Sequence, residues 1–149
     1  GSHLAVSYDA PGLDIVYKLV DYNARPVMKL SLGKRTLPGK KQVFRRHTDI
    51  GEMKEDVIGL RDEHISGMSP LLVPVMQNGK RTGETPSLKE IRARATAQLS
   101  ALPSEMKALR GPVTYTVRMS DRLLNLQNQL LGELGQQTQG RTLISRDLP

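Results

Sequence analysis

Ser87-Leu88-Lys89-Glu90-Ile91-Arg92-Ala93-Arg94-Ala95-Thr96-Ala97-Gln98-Leu99-Ser100-Ala101-Leu102 is where the hydrophobic period of this chain changes. Ser87 and Glu90 stand at capping-box spacing: the serine oxygen takes the Glu90 amide while the Glu90 carboxylate reaches back to Ser87. Pro86 marks the boundary before the box, and the helix stops before Pro103, which has no amide hydrogen to continue it. Between them Leu88, Ile91, Ala95, Leu99 and Leu102 recur at three- and four-residue steps, the apolar stripe of a helix. That stripe is expected to form a core or domain-packing face.

Downstream the helical reading returns. Ser104–Leu109 adds a short turn closed by Gly111-Pro112, and Val113, Tyr115, Val117 and Met119 alternate as in a strand. Ser120 or Asp121 caps a final helix with Leu123, Leu126, Leu130 and Leu134 on its buried side. After Gly135 the composition turns to Gln, Thr and Gly, so 136–149 reads as a flexible tail, with Thr142–Ser145 able to pair as a short strand.

Upstream the apolar residues come in short runs bounded by turn residues. Leu4–Ser7, Ile15–Tyr22, Val27–Leu32, Gln42–Arg46, Asp56–Arg61 and Leu71–Gln77 read as strands, joined closely enough to be antiparallel. Asp9-Ala10-Pro11-Gly12 and Asn78-Gly79 are turn signals. Pro74 makes the Leu71–Gln77 run an edge or irregular strand. His47–Glu55 reads as a polar insert, and its acidic residues Asp49, Glu52 and Glu55, with Asp56, as a solvated cluster. The fold class is therefore α+β: short, mostly antiparallel strands in the first half and amphipathic helices in the second.

Length and composition narrow the function classes. At 149 residues the chain fits one ordinary domain with a real core. It contains no cysteine, which removes disulfides, a thiol nucleophile and cysteine-ligated zinc together. His3, His47 and His64 are far apart, so no histidine metal site is expected. No apolar run approaches membrane-spanning length, and cytoplasmic localisation is the expectation. The net charge of +7 favours polyanionic partners. Aromatics make up only 3%, with one Phe and no Trp, which leaves few stacking platforms for single-stranded nucleic acid.

The charge concentrates in Lys29-Leu30-Ser31-Leu32-Gly33-Lys34-Arg35-Thr36-Leu37-Pro38-Gly39-Lys40-Lys41-Gln42-Val43-Phe44-Arg45, six cations in seventeen positions around a Pro-Gly turn. Spaced cations about a rigid turn suit a phosphorylated ligand or a docking surface; a solubilising sheet face is the plainer alternative. Lys29, Lys34, Lys41 and Arg45 are the candidate phosphate contacts. In a regular strand Lys29 and Ser31 would share a face. Ser31 and Thr36 are expected to bond local backbone. No nucleophile–base pair is visible.

The ordered blocks Tyr17-Lys18-Leu19-Val20, Lys29-Leu30-Ser31, Lys34, Thr36, Pro38-Gly39, Lys41-Gln42-Val43 and Arg45 resemble the C-terminal part of nicotinate phosphoribosyltransferase. Asp56-Val57-Ile58, Leu71–Met76 and Pro86-Ser87-Leu88 follow in family order, so the resemblance runs from about Gly1 to Leu134. It implies the last segment of an enzyme with a partial (β/α) barrel, which joins nicotinate to phosphoribosyl pyrophosphate in NAD biosynthesis. A barrel occupies about 250 residues, more than this chain has. The resemblance further implies Mg²⁺ and coupled ATP hydrolysis with sites outside this segment, and a catalytic histidine that none of the three here matches. The missing barrel portion is the implied partner, in a homo- or hetero-oligomer.

In that alignment Gly1-Ser2-His3-Leu4 meets the end of the family's Gly-Val-Gly-Thr-like phosphate loop, Gly1 at its last glycine and Ser2 at its threonine. A tag scar that happens to fit is the alternative. A native start in mid-motif would mean a split subunit, a proteolytic product or a truncated chain. The expected divisions are 1–8 (end of a barrel strand and phosphate loop), 9–80 (basic, strand-rich), 81–135 (helical) and 136–149 (tail). The rival to an enzyme segment, inactive alone, is a stand-alone basic module for nucleotides, RNA or an acidic protein.

Overall fold

Residues 17–144 apart from Leu32 and Lys34 are described by the computed structural model, with backbone alone from residue 135 onward. Gly1 and Ser2 lie outside the described residues. The chain divides into two units, Gly1–Gly39 and Lys40–Pro149.

In the first unit, β1 (Asp21–Tyr22) and β2 (Arg25–Pro26) pair antiparallel across Asn23 and Ala24. Both turn residues have positive φ, 48° and 58°, the requirement of the tight hairpin turn that matches strand twist. The strand expected over Val27–Leu32 is absent from its described part. There the backbone bonds at intervals instead: the Val20 carbonyl accepts from Val27 N (3.0 Å) and Gly39 N (2.8 Å). Pro38 is fully buried and Gly39 has a φ of 73°, so the Pro-Gly turn forms as the sequence predicts.

The second unit is organised by β3 (Lys41–His47) and β4 (Met53–Leu60), an antiparallel pair with Phe44 opposite Val57, Arg45 opposite Asp56 and Arg46 opposite Glu55. Residues Ser69–Pro70 (β5) pair with β3, and Val117–Met119 (β8) pair with β4, giving the order β5-β3-β4-β8. The β4–β8 pair is parallel. Parallel strands need a long crossover, and here it contains α1 (Leu88–Ser100). The sheet therefore takes strands from both sides of residue 80, the far edge of β4 finding its partner in the second half of the chain.

β4 begins three residues before the expected Asp56, so Glu55, read as the end of a polar insert, is a strand residue like Asp56. Between β5 and β6 (Met76–Gln77) the chain is irregular through Pro74. β6 and β7 (Lys80–Arg81) form an exposed hairpin on Asn78-Gly79, whose φ values of 50° and 75° suit that dipeptide.

Among the described residues the buried apolar side chains of the core are Phe44, Met53, Val57 and Leu123. Helix α2 (Asp121–Ile144) packs on β4. A Cβ on Gly59 would stand 3.1 Å from the Phe44 ring and 3.0 Å from Glu63 Oε1, so the glycine lets both approach the strand. Ser120 starts α2 as the sequence predicts: its Oγ accepts from Leu123 N (3.2 Å) and donates to Glu63 Oε1 (2.7 Å). The helix passes Gly135 and reaches Ile144, where a tail was expected. Its interior glycines, Gly132, Gly135 and Gly140, each cost about 1 kcal/mol relative to alanine, and none ends the helix.

Helix α1 has the predicted capping box, Ser87 N donating to Glu90 Oε2 (2.7 Å) and Glu90 N to Ser87 Oγ (3.3 Å). None of its residues is buried, and Leu88 is 74% exposed. Its C-terminal end is tied to the sheet, Met53 N donating to Ala101 O at 2.7 Å. A 3₁₀ turn follows at Ser104–Met106. Among the described residues no helix is long and apolar enough to cross a membrane.

Candidate functional site

The Lys29–Arg45 stretch is divided between the two units. In the first, Lys29 and Thr36 close a loop: Lys29 N donates to Thr36 Oγ1 (2.8 Å), and Thr36 N donates to Lys29 O (3.3 Å). The threonine hydroxyl thus bonds local backbone, as expected of it. Lys29 is exposed, and Gly33 within the same loop has a φ of 69°. Because no strand forms here, Lys29 and Ser31 do not share a strand face. Lys34 lies outside the described residues.

In the second unit, Lys41 and Arg45 meet different surroundings. Arg45 is committed to the sheet. Its Nε and Nη2 each donate to an Asp56 oxygen at 2.8 Å, and Tyr115 Oη donates to Asp56 Oδ1 at 2.9 Å. The guanidinium carbon lies 5.9 Å from the centroid of the Tyr115 ring. The Arg45 hydrogen bonds hold the Asp56 carboxyl below its usual range. Burial, then the bond to Asp56, pushes the Tyr115 hydroxyl up to about 12. A phosphate at Arg45 would have to displace a bidentate carboxylate from a side chain only 17% exposed.

Glu55 is held the same way, accepting from Arg46 Nε (3.1 Å) and Arg118 Nε (2.9 Å). Hydrogen bonds from Arg118 and then Arg46 lower its pKa. The expected solvated acidic cluster is corrected here for Glu55 and Asp56: strand register places each carboxylate opposite an arginine. Among the described residues no group of three or more His, Asp or Glu side chains is arranged to hold a metal ion.

Lys41 lines a groove of about 260 Å³ together with Gln42, Arg61, Leu72, Val73 and Pro74. Burial lowers the pKa of its amine. Lys41 is opposite Leu60 in the β3–β4 register, and Arg61 N donates to Lys40 O at 2.9 Å, which brings the next cation to the same rim. Gln42 fastens the third wall: its Nε2 donates to Leu72 O (2.9 Å) and its Oε1 accepts from Leu72 N (2.8 Å). Sequence reasoning missed Arg61. It lies outside the basic stretch, and only the pairing of β3 with β4 brings it to Lys41.

Residues 64–127 match the family described as nicotinate phosphoribosyltransferase C-terminal domain. The chain is 42% identical over 126 residues to nicotinate phosphoribosyltransferase pncB2 of Mycobacterium tuberculosis, covering 83% of this chain and 27% of that protein. It is 33% identical over 154 residues to human nicotinate phosphoribosyltransferase, covering 87% and 29%. The crystal structure of human nicotinic acid phosphoribosyltransferase superposes with a TM-score of 0.68 at 32% identity, over 78% of this chain and 26% of that one. The chain thus spans between a quarter and a third of the length of these relatives. By sequence and by fold, the chain is a homologue of the nicotinate phosphoribosyltransferases and carries their C-terminal domain.

Proposed function

We propose that the chain is the C-terminal portion of a nicotinate phosphoribosyltransferase, making nicotinate mononucleotide and pyrophosphate from nicotinate and phosphoribosyl pyrophosphate in NAD biosynthesis. One structural observation carries the reading beyond homology. Helix α1 is fully capped, yet Leu88, Ile91 and Leu99 stay exposed in a chain a fraction of its relatives' length. Isolated helices of this length are marginal in water. A longer enzyme would cover that face, and the barrel portion is the proposed cover, within a cytoplasmic homo- or hetero-oligomer.

In this reading the barrel brings the groups that act at the ribose, and this segment brings fixed positive charge. Lys29, Lys34 and Lys41 face phosphate groups, with Gly1 and Ser2 at the 5′-phosphate loop. Oriented cations stabilise the charge that develops on departing pyrophosphate. Arg45 acts one step back, holding Asp56 and the strand that presents Lys41. Mg²⁺ and ATP would have their sites outside this segment. The carboxylates of Glu55 and Asp56, each held by arginine, do not fit a hard-cation site.

The test is reconstitution. The chain is produced with the separately expressed remainder of a relative, and nicotinate mononucleotide is measured by chromatography after adding nicotinate, phosphoribosyl pyrophosphate, Mg²⁺ and ATP. The chain alone is expected to be inactive and the assembled pair active, with Leu99→Asp preventing assembly. Stable assembly without product, or activity with no dependence on this chain, would overturn the proposal.

A further inference from the structure

We propose that the groove between the Lys41 end of β3 and residues 72–74 binds a phosphate monoester that carries a flat apolar substituent. The lining is divided by chemistry. Lys41 and Arg61 provide two cations, while Leu72, Val73 and Pro74 provide an apolar wall, and among the described residues no carboxylate lines the groove. At about 260 Å³ it is below the range of roughly 300–1,000 Å³ typical of drug-sized ligands. That size suits a singly substituted phosphate and not a dinucleotide.

The charge on Arg61 is not neutralised within the sheet. Arg45, Arg46 and Arg118 are each held by a carboxylate, whereas Arg61 has no ion-pair partner among the described residues. A guanidinium offers paired N–H donors matched to phosphate oxygens, and a lysine adds a compact point charge. Burial lowers the Lys41 pKa, and an anion in the groove would favour the charged amine.

The apolar wall is held in place before any ligand arrives. Gln42 has spent its side chain on the backbone of Leu72 and on Val43 N (2.9 Å), which makes it a brace and not a ligand group. Leu72 is 55% and Val73 73% exposed, apolar surface that a flat substituent would cover. The proposal shares Lys41 with the enzyme reading and adds Arg61, the wall and a ligand class. It holds or fails for the chain alone, whatever the reconstitution shows.

Backbone amide shifts of the isotopically labelled chain, followed by NMR during titration with inorganic phosphate and with phenyl phosphate, test it. Saturable shifts are expected at Lys41, Gln42, Arg61, Leu72 and Val73, with phenyl phosphate bound about fivefold more tightly than inorganic phosphate. Arg61→Gln should weaken both by about tenfold. Leu72→Ala should abolish the preference for phenyl phosphate while leaving inorganic phosphate unchanged. Should Arg61→Gln lower the melting temperature, Arg61→Lys and the Leu72→Ala comparison still decide. Shifts centred on the Lys29–Thr36 loop, equal affinity for the two anions, or unchanged affinity in Arg61→Gln would each overturn the assignment.

Discussion

The β3–β4 pair and helix α1 share a backbone hydrogen bond at Met53 and Ala101, and differ in almost everything else. In the strands, Phe44 and Val57 are buried and Arg45, Arg46, Glu55 and Asp56 are tied across the register. In the helix, the N-terminal cap is complete and no residue is buried. Capping and periodicity specify that a helix forms and which face is apolar. They do not specify what lies against that face. The strands carry their partners within this chain, whereas no residue of the helix is buried.

The sharpest way to break this comparison is to injure each side and compare stability in urea. Leu123→Ala removes a side chain with no exposure from the α2–β4 contact and is expected to cost about 3 kcal/mol. A loss near zero would mean that the core lies elsewhere. Asp56→Asn leaves the Arg45 guanidinium partly buried without its counter-charge, and about 3 kcal/mol is expected, since the pair is 17% and 11% exposed and not fully dry.

The same pair has a pH signature. The Asp56 pKa is depressed in the fold, so its stabilisation is present above the unfolded carboxylate range and is lost as pH falls through the lowered folded value. The parent chain should therefore lose more stability than Asp56→Asn between about pH 5 and strong acid, read from denaturant midpoints across that range. Equal losses would place the pair outside the folding equilibrium.

Tyr115 gives the alkaline counterpart at smaller cost. Its folded pKa is raised from 10.0 to about 12, so its contribution is intact below pH 10 and disappears as pH climbs towards 12. Tyr115→Phe should lower neutral stability by about 1 kcal/mol and flatten the alkaline slope. An unchanged slope would show that the hydroxyl ionises freely.

The smallest effect is expected on the other side of the comparison. Ile91→Ala with Leu99→Ala should change the stability of this chain by less than about 0.5 kcal/mol, because the face is exposed and alanine favours helix. In an assembled enzyme the same pair should weaken association. A large loss in the isolated chain would mean that α1 has a packing partner within it.

Much of the α2 junction was legible, because Ser120, Leu123 and the following leucines obey rules that act within one helical turn. The Asn78-Gly79 hairpin and the Pro38-Gly39 turn were legible for the same reason, positive φ at glycine or asparagine. What could not be read was register. Glu55 and Asp56 looked like solvated acids until pairing set them opposite Arg46 and Arg45. Strand β8 joined β4 in parallel across a crossover that no local pattern announces. The basic stretch was visible as charge, but its members parted: Arg45 went to Asp56 and Lys41 to the groove with Arg61.

The sequence by itself determined where helices begin, which turns are tight, how basic the chain is and which family it resembles, since these depend on residue order and short-range bonding. Only the tertiary structure decided which charges are spent on one another and which line a groove, and it left the α1 stripe uncovered. Those outcomes depend on strand register and on contacts between residues far apart in the chain, which no local period encodes.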